Sequence, residues 1–411
     1  MKPLPSIYSL IAAISLCLIS TTIAASADAA FQQWLQSVWP EAQRLGVSRA
    51  TFDEAVRGLE PDLSLQDLAI PGRVQPQPGQ PEFVQTPGEY LRETSLTRLA
   101  ARGRALATQH RDTLARIERD FGVPGSIVLA IWGRETDYGG YSLPYDAIRV
   151  LATQAYTGKR KDLFRIEFLY ALKMLQDGVP RARLRSSWGG AMGLTQFLPS
   201  EYYKYAADFD GDGRADIWTS VPDALASAAK QLSGKGWQAA RAWAYEVRAP
   251  KDVDCTIAEP SRTAPLGEWI KRGYVPLGGR APTAAELAEP ASLLMPEGTY
   301  GPAFLTLKNY YVIKDYNFSD LYVLFVGNLA DRIAGGSGFV TPWSKASQLH
   351  TADVEQMQRT LTRLGLYQDK IDGKAGMLTR AALGAYQKAN GLKLDCWPTP
   401  AVLAHMQKAK L

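Results

Sequence analysis

Apolar residues recur at helical spacing along most of the chain. FQQWLQSVWPEAQRLG and SRATFDEAVRGL, within residues 30–70, predict amphipathic helices. Residues 71–90 are rich in Pro, Gln and Gly and read as an extended loop. Helical patterning returns from Tyr90 to about Gly122, and again over residues 124–138, 162–177 and 221–234. From 240 to 315 the texture changes. WAYEVRAP, YVPL and AFLTLKNYYVIKDY alternate with Pro/Gly turns, which predicts a small β-containing subdomain. NFSDLYVLFVGNLADRIAG is helical again, residues 336–350 read as a linker, and 351–411 read as a compact helical unit. The chain is therefore expected to be mainly α, with no tandem repeat.

Composition narrows this picture. At 411 residues the chain is long enough for two or three domains, and 46% apolar content excludes disorder as its main state. Lys+Arg number 46 against 41 Asp+Glu, a weak excess of +5. That balance does not imply nucleic acid, though it suits a polyanionic partner such as cell wall or an anionic membrane surface. The first 27 residues read as an export signal: Lys2, an apolar run from Ile7 to Ile23 and the small-x-small site Ala25-Ser26-Ala27. Cys17 lies in that run, but Leu16 before it argues against a lipid anchor. Cleavage would leave Cys255 and Cys396, which permit one disulfide without establishing it.

Some chemistries are excluded. The three histidines, 110, 350 and 405, are scattered and form no HExxH, which argues against a zinc peptidase. Ser227-Ala-Ala-Lys230 has SxxK spacing but sits in an Ala-rich helix without partner motifs and reads as chance. The candidate catalytic segment is GVPGSIVLAIWGRETDYGG, residues 122–140. Pro124 suits a first helical turn and Gly139-Gly140 a helix end. Ile127, Ile131 and Glu135 share one face, which puts a carboxylate at the end of an apolar stripe. Such a wall disfavours the anion, and a carboxyl protonated near neutral pH can serve as a general acid to a glycosidic oxygen. The alternative is a helix-end Glu paired with Arg134 or another cation.

A second segment, Ser186 to Ser200, is dense in small residues and carries Ser187 and Gln196. Its GAMGLTQF is similar to the G-A-M-G-x-x-Q-F segment of lysozyme-like lytic transglycosylases, and Glu135-Thr136 with Gly139 resembles their E-T-x-x-G helix. With the Asp208–Asp216 loop and NYYVIKDYN, the chain from about 30 to 335 resembles the membrane-bound lytic murein transglycosylase B family, glycoside hydrolase family 103. The resemblance implies a lysozyme-like catalytic domain over 28–335 in which Glu135 is the single acid/base. It implies that Ser187 and Gln196 line the saccharide cleft, that Lys159 and Arg160 meet muropeptide carboxylates, and that Tyr310 and Tyr316 lie near the N-acetyl group of the muramic acid. Read without the family, the two tyrosines belong to the β-subdomain core.

Asp208, Asp210, Asp212, the Arg214 carbonyl and Asp216 have the spacing of an EF-hand loop with Gly213 at the sixth position. Thr219 stands at the twelfth, where a bidentate acid is expected, and Asp223 lies beyond. The family has a metal loop here, so a structural Ca²⁺ or Na⁺ is expected; the alternative is an acidic turn without an ion. No cofactor is expected for the chemistry itself. The tail's Val354–Leu361 and Asp372-Gly-Lys-Ala-Gly376…Thr379-Arg380…Tyr386-Gln387 resemble a three-helix peptidoglycan-binding domain, with Asp395-Cys396 where Asp-Gly is common. Either that turn is altered or Cys396 is tied to another thiol. The expectation is a monomeric periplasmic lytic transglycosylase acting on glycan strands, with other cell-wall enzymes as candidate partners and no nucleic acid. A hydrolytic muramidase, which needs a second carboxylate facing Glu135, and a non-catalytic wall-binding scaffold are the competing readings.

Overall fold

The computed structural model describes residues 29–70, 85–344 and 349–408, so the expected export signal lies outside the described residues. Among the described residues two compact units emerge, one from residues 29–70, 141–208 and 213–224, the other from 85–140, 209–212, 225–344 and 349–408. The fold is mainly α, and the expected small sheet is present.

In the first unit, helices 29–44, Arg49–Val56, Ala147–Thr157 and Lys161–Gln176 close over a core that includes Phe31, Leu35, Phe52, Phe168 and Leu172. Ser48 caps the second helix by accepting from the Thr51 amide at 3.1 Å. Asp146 starts the Ala147 helix by accepting from the Ile148 amide at 2.9 Å, and Arg181 holds that carboxylate at 2.9 Å. The sequence pattern did not reveal this helix. Its buried face includes the polar Thr153 and Gln154, so AIRVLATQAYT shows no clean apolar period.

In the second unit the expected helix 90–122 is two, Glu93–Gln109 and Arg111–Phe121. They pack with Gly125–Thr136 and Asp320–Ile333. A Cβ at Gly133 would meet the Tyr138 ring at 2.6 Å, so this glycine lets the ring fold back on the helix. The Tyr138 hydroxyl then donates to the Leu99 carbonyl at 2.9 Å. An antiparallel five-stranded sheet runs in the order Thr263–Pro265, Pro290–Leu294, Ala303–Thr306, Ala244–Arg248, Val275–Pro276, with Leu305 opposite both Tyr245 and Leu293. Its core joins Trp269, Leu293 and Leu305 to Cys255 and Cys396.

The tail forms helices Thr351–Arg363, Met377–Ala389 and Pro400–Lys408 around Met357, Leu361, Leu383 and Tyr386. It is fastened to the sheet-bearing body. Cys255 and Cys396 are disulfide-bonded, Lys388 pairs with Asp254 at 2.8 Å, and Tyr300 donates to Asp395 at 2.7 Å. The expected linker is docked in its described part. The Val340 and Thr341 amides donate to Glu246, the Ser344 amide donates to Glu297, and Phe339 packs edge-on against Phe304. Polar and glycine content read as a free connection, whereas backbone donors and two aromatic rings tie it down. Among the described residues no helix is long and apolar enough to cross a membrane.

Candidate active site

Helix Gly125–Thr136 delivers Glu135 in its last turn, above the buried Ile127 and Ile131. Pro124 is the residue before the helix rather than part of its first turn. The helix also ends earlier than Gly139-Gly140. Asp137 and Tyr138 both take left-handed φ, +51° and +54°, and their amides return to the Gly133 and Trp132 carbonyls. Two non-glycine residues in that region cost on the order of 1–3 kcal/mol each unless the surroundings enforce them. Arg98 enforces one by binding Asp137 at 2.9 Å, with Arg102 at 3.8 Å, and the buried Tyr138 ring enforces the other. The backbone immediately after Glu135 is therefore fixed from both sides.

The Glu135 carboxyl is half-buried and accepts a 2.6 Å hydrogen bond from the Tyr322 hydroxyl. Tyr322 belongs to helix Asp320–Ile333 and is buried. Burial, and then the Glu135 charge, push the Tyr322 phenol well above its usual pKa, so it remains a proton donor in the hydrogen bond. Arg134 does not simply turn to Glu135, as the alternative reading had it. Its guanidinium donates to the Tyr90 hydroxyl at 2.6 and 3.0 Å and lies over the Tyr90 and Phe325 rings, at 4.8 and 5.2 Å from their centroids. Burial works against the Arg134 charge, but Tyr90 and Glu135 outweigh it and hold its pKa up. Tyr90 is set in place by the capping box of Thr86 and Glu89. The apolar stripe expected beneath Glu135 is thus joined by a hydrogen-bond donor and a permanent cation.

Tyr316 is half-buried and acts electrostatically on Tyr322, which places it by this group. Tyr310 is fully buried, and its hydroxyl donates to Asp320 at 2.7 Å. For Tyr310 the core reading describes the structure and a place on an open cleft wall does not.

In the other unit, Ser187 and Gln196 share one tight loop in which Met192 bridges both Ser186 and Phe197. The Ser187 hydroxyl accepts from the Ala191 amide at 3.3 Å. Gln196 has φ +57°, and its side-chain Nε2 donates to the Gly193 carbonyl at 3.0 Å. Gly190 and Gly193 lie in the same loop. The atoms their Cβ would strike are Leu151 at 2.2 Å and the Ile217 carbonyl at 2.7 Å, so both serve interior packing. Lys159 and Arg160 share Asp67, at 3.9 and 3.0 Å.

The acidic loop gathers the carboxylates of Asp208, Asp210 and Asp212 within 4.8 Å of one another, with Gly213 at φ +88° donating to Asp208 at 2.8 Å. Asp216 is committed to its own turn. It accepts from the Trp218 and Thr219 amides at 2.9 and 3.0 Å, and Arg183 pairs with it at 2.8 Å. Three of the expected side-chain ligands therefore fit a hard cation; Asp216 is already engaged, and Arg214 could contribute only its carbonyl.

Sequence reasoning missed Tyr322, Tyr90 and the anchoring of Arg134. One signal was available. A tyrosine inside the apolar run LYVLFVG must find a partner for its hydroxyl once buried.

The sequence model of the transglycosylase SLT domain matches residues 30–331. The chain belongs to this family. A peptidoglycan binding domain model matches residues 350–406. The chain is 32% identical over 235 residues to the membrane-bound lytic murein transglycosylase B of Escherichia coli K12; the match covers 55% of this chain and 61% of that relative's length. Among solved structures, SltB3 from Pseudomonas aeruginosa in complex with NAG-anhNAM-pentapeptide is 39% identical, with a TM-score of 0.82 over 92% of this chain and 99% of that one. The Escherichia coli lytic transglycosylase Slt35 in complex with calcium is 27% identical, with a TM-score of 0.51 over 60% of this chain and 77% of that one.

Proposed function

We propose that this protein is a lytic transglycosylase that cleaves the β-1,4 bond between N-acetylmuramic acid and N-acetylglucosamine in peptidoglycan. The observation that carries the reading is Glu135, oriented by Tyr322 at the end of a buried helix in a chain of the transglycosylase SLT family. Glu135 donates its proton to the leaving glycosidic oxygen while the substrate's own N-acetyl group assists at the anomeric carbon. Glu135, now a base, takes the proton of the muramoyl 6-hydroxyl, whose oxygen closes on the anomeric carbon to give a 1,6-anhydro end. One protein carboxylate suffices because the substrate supplies the second group. The nearest acid in sequence, Asp137, supports this division of labour, since Arg98 and Arg102 hold it.

Ser187, Gln196 and Tyr316 are assigned to saccharide contacts, and Lys159-Arg160 to the carboxylates of the stem peptide, which must compete with Asp67. Residues 28–335 form the catalytic part and 351–411 the wall-binding part of this reading, and residues 1–27 direct it to the periplasm. Asp208, Asp210 and Asp212 would hold a calcium ion that stabilises the loop, in keeping with the calcium complex of Slt35, and no catalytic step passes through it. Mass spectrometry of digested sacculi tests the function. Anhydromuramoyl ends are expected; reducing ends would make the protein a muramidase, and absence of cleavage would leave a wall-binding scaffold.

A further inference from the structure

A cavity of about 470 Å³ lies where the tail's Asp372–Arg380 segment faces the stretch from Lys314 to Leu321 of the body. Two side chains in its lining hold buried donors with no hydrogen-bond partner among the described residues, Arg380 Nη2 and Trp397 Nε1. Arg380 is 7% exposed and Trp397 4%. A buried donor without an acceptor costs roughly 1–3 kcal/mol, more when it is charged, so two in one cavity mark a place where acceptors belong. Arg380 commits Nη1 to the Ala375 carbonyl at 2.5 Å. Its Nη2 approaches Asp320 only to 3.7 Å, beyond hydrogen-bond reach.

The charge balance says what kind of acceptor. Asp320 is shared by Lys314 and Arg380, so two cations face one carboxylate, and Asp320 also takes the Tyr310 hydroxyl. On the rim Asp369 and Asp372 offset Lys370 and Lys374. The lining is left with one more positive than negative charge. Phe318, 82% exposed, stands at the same cavity and offers an apolar face to whatever enters.

We propose that this cavity is a second recognition site, formed jointly by tail and body, for the anionic stem peptide of peptidoglycan. A peptide carboxylate binds Arg380 Nη2, and a second peptide oxygen accepts from Trp397 Nε1. A neutral glycan supplies acceptors but not the missing charge. The proposal rests on the reading that the chain acts on peptidoglycan. It adds that the tail grips peptide together with the body rather than sugar alone.

The test uses the whole chain with ¹⁵N-labelled tryptophan, the Trp397 indole resonance being assigned by its loss in Trp397→Phe. Free muramoyl-type pentapeptide at millimolar concentration should move that resonance, and N,N′-diacetylchitobiose should not. By calorimetry, Arg380→Met should weaken pentapeptide binding on the order of tenfold or more, as expected for loss of a charged hydrogen bond. An unmoved Trp397 resonance, an equal shift with chitobiose, or an equal shift with acetate would overturn the assignment, and the first of these uses only the unmutated protein. The two readings fail separately. Pentapeptide binding at Trp397 without anhydro ends from sacculi removes the enzyme and keeps the site; anhydro ends with a silent Trp397 do the reverse.

Discussion

The Tyr322 hydroxyl donates to Glu135 Oε1 across 2.6 Å, although the two residues are 187 positions apart in the chain. One carboxyl oxygen is thereby engaged by a buried phenol that stays protonated. Tyr322 is a positioning residue under this arrangement. Tyr322→Phe removes one donor and no ring volume. It should lower kcat on the order of tenfold through looser placement of the carboxyl. A donor to a carboxylate favours its charged form, so its removal should also move the alkaline limb of kcat/KM to higher pH. A pH–rate profile of the variant checks this. A reduced rate with an unmoved limb would mean that the phenol only fills space.

Glu135→Gln keeps the shape and removes the transferable proton. Turnover of a soluble muropeptide should fall by at least about 10²–10⁴-fold while the melting temperature stays within a few degrees. The glutamine can still accept from Tyr322, so the local packing survives. Residual activity within a few-fold of the parent would remove Glu135 from the chemistry.

What was legible in the sequence, and what was not, follows from range. The Glu135 helix shows through Ile127 and Ile131 because its signal is local and periodic. Helix Ala147–Thr157 does not show, because its buried face includes the polar Thr153 and Gln154, which interrupt the apolar pattern. The resemblance gave Lys159 and Arg160 to muropeptide carboxylates, but could not show Asp67, their partner some ninety positions upstream. The role of Tyr322 does not show, because its Glu135 bond spans 187 positions. The Asp395-Cys396 departure from Asp-Gly identified the turn but left its cause open. The cause is a disulfide to Cys255, with Cys396 itself at φ +54°.

Glu286 sets an acid limit on the sheet-bearing body. It is fully buried and accepts from the Ala242 and Thr283 amides, Tyr245, the Thr283 hydroxyl and Arg280. Burial alone would raise its pKa, but the Arg280 guanidinium and the amide donors outweigh burial and hold it well below the usual carboxylate value of 4.5. With the folded-state pKa depressed, the unfolded chain binds the proton more readily. The resulting stability is therefore present above about pH 4.5 and is lost as pH falls below it. Glu286→Gln should cost roughly 1–3 kcal/mol at pH 7 through the buried donors that lose a charged acceptor, Arg280 itself being half-exposed, and should flatten the acid limb of a denaturation series from pH 7 to 3. A variant with an unchanged acid limb would move that dependence to other carboxylates.

The Cys255–Cys396 bond closes a loop of 141 positions and ties the tail to the body. Cys255→Ser/Cys396→Ser should lower stability by roughly 2–5 kcal/mol, read as a drop in the denaturant midpoint. Fastening by Lys388–Asp254 and Tyr300–Asp395 remains, so the tail should stay docked and the variant should still bind sacculi. Equal midpoints for the variant and the oxidised parent would show that the bond adds nothing to the docked state.

Asp208, Asp210 and Asp212 hold three exposed carboxylates within 4.8 Å of one another. Like charges this close repel, and a hard divalent cation relieves that repulsion. The left-handed Gly213 and its bond to Asp208 already give the loop the bend a calcium site requires. The donor set is short, however. Thr219 replaces the bidentate acid, and its hydroxyl donates to Asp216 at 2.5 Å, which keeps that carboxylate within its own turn. Affinity should therefore fall at the weak end of calcium loops, on the order of 10⁻⁴–10⁻³ M. Arg116 anchors the loop by donating to the Phe209 carbonyl at 2.9 Å and lying over the Phe209 ring, so cation binding should stabilise the native fold rather than order a free segment. By linkage, 10 mM Ca²⁺ at a Kd of about 1 mM adds roughly 1.4 kcal/mol, a rise of a few degrees in melting temperature over chelator-treated protein. Asp208→Asn/Asp212→Asn should abolish that rise and leave the chelated melting temperature unchanged or slightly higher, because the repulsion is gone. An equal calcium response in parent and double variant would place the ion elsewhere and reduce the loop to an acidic turn.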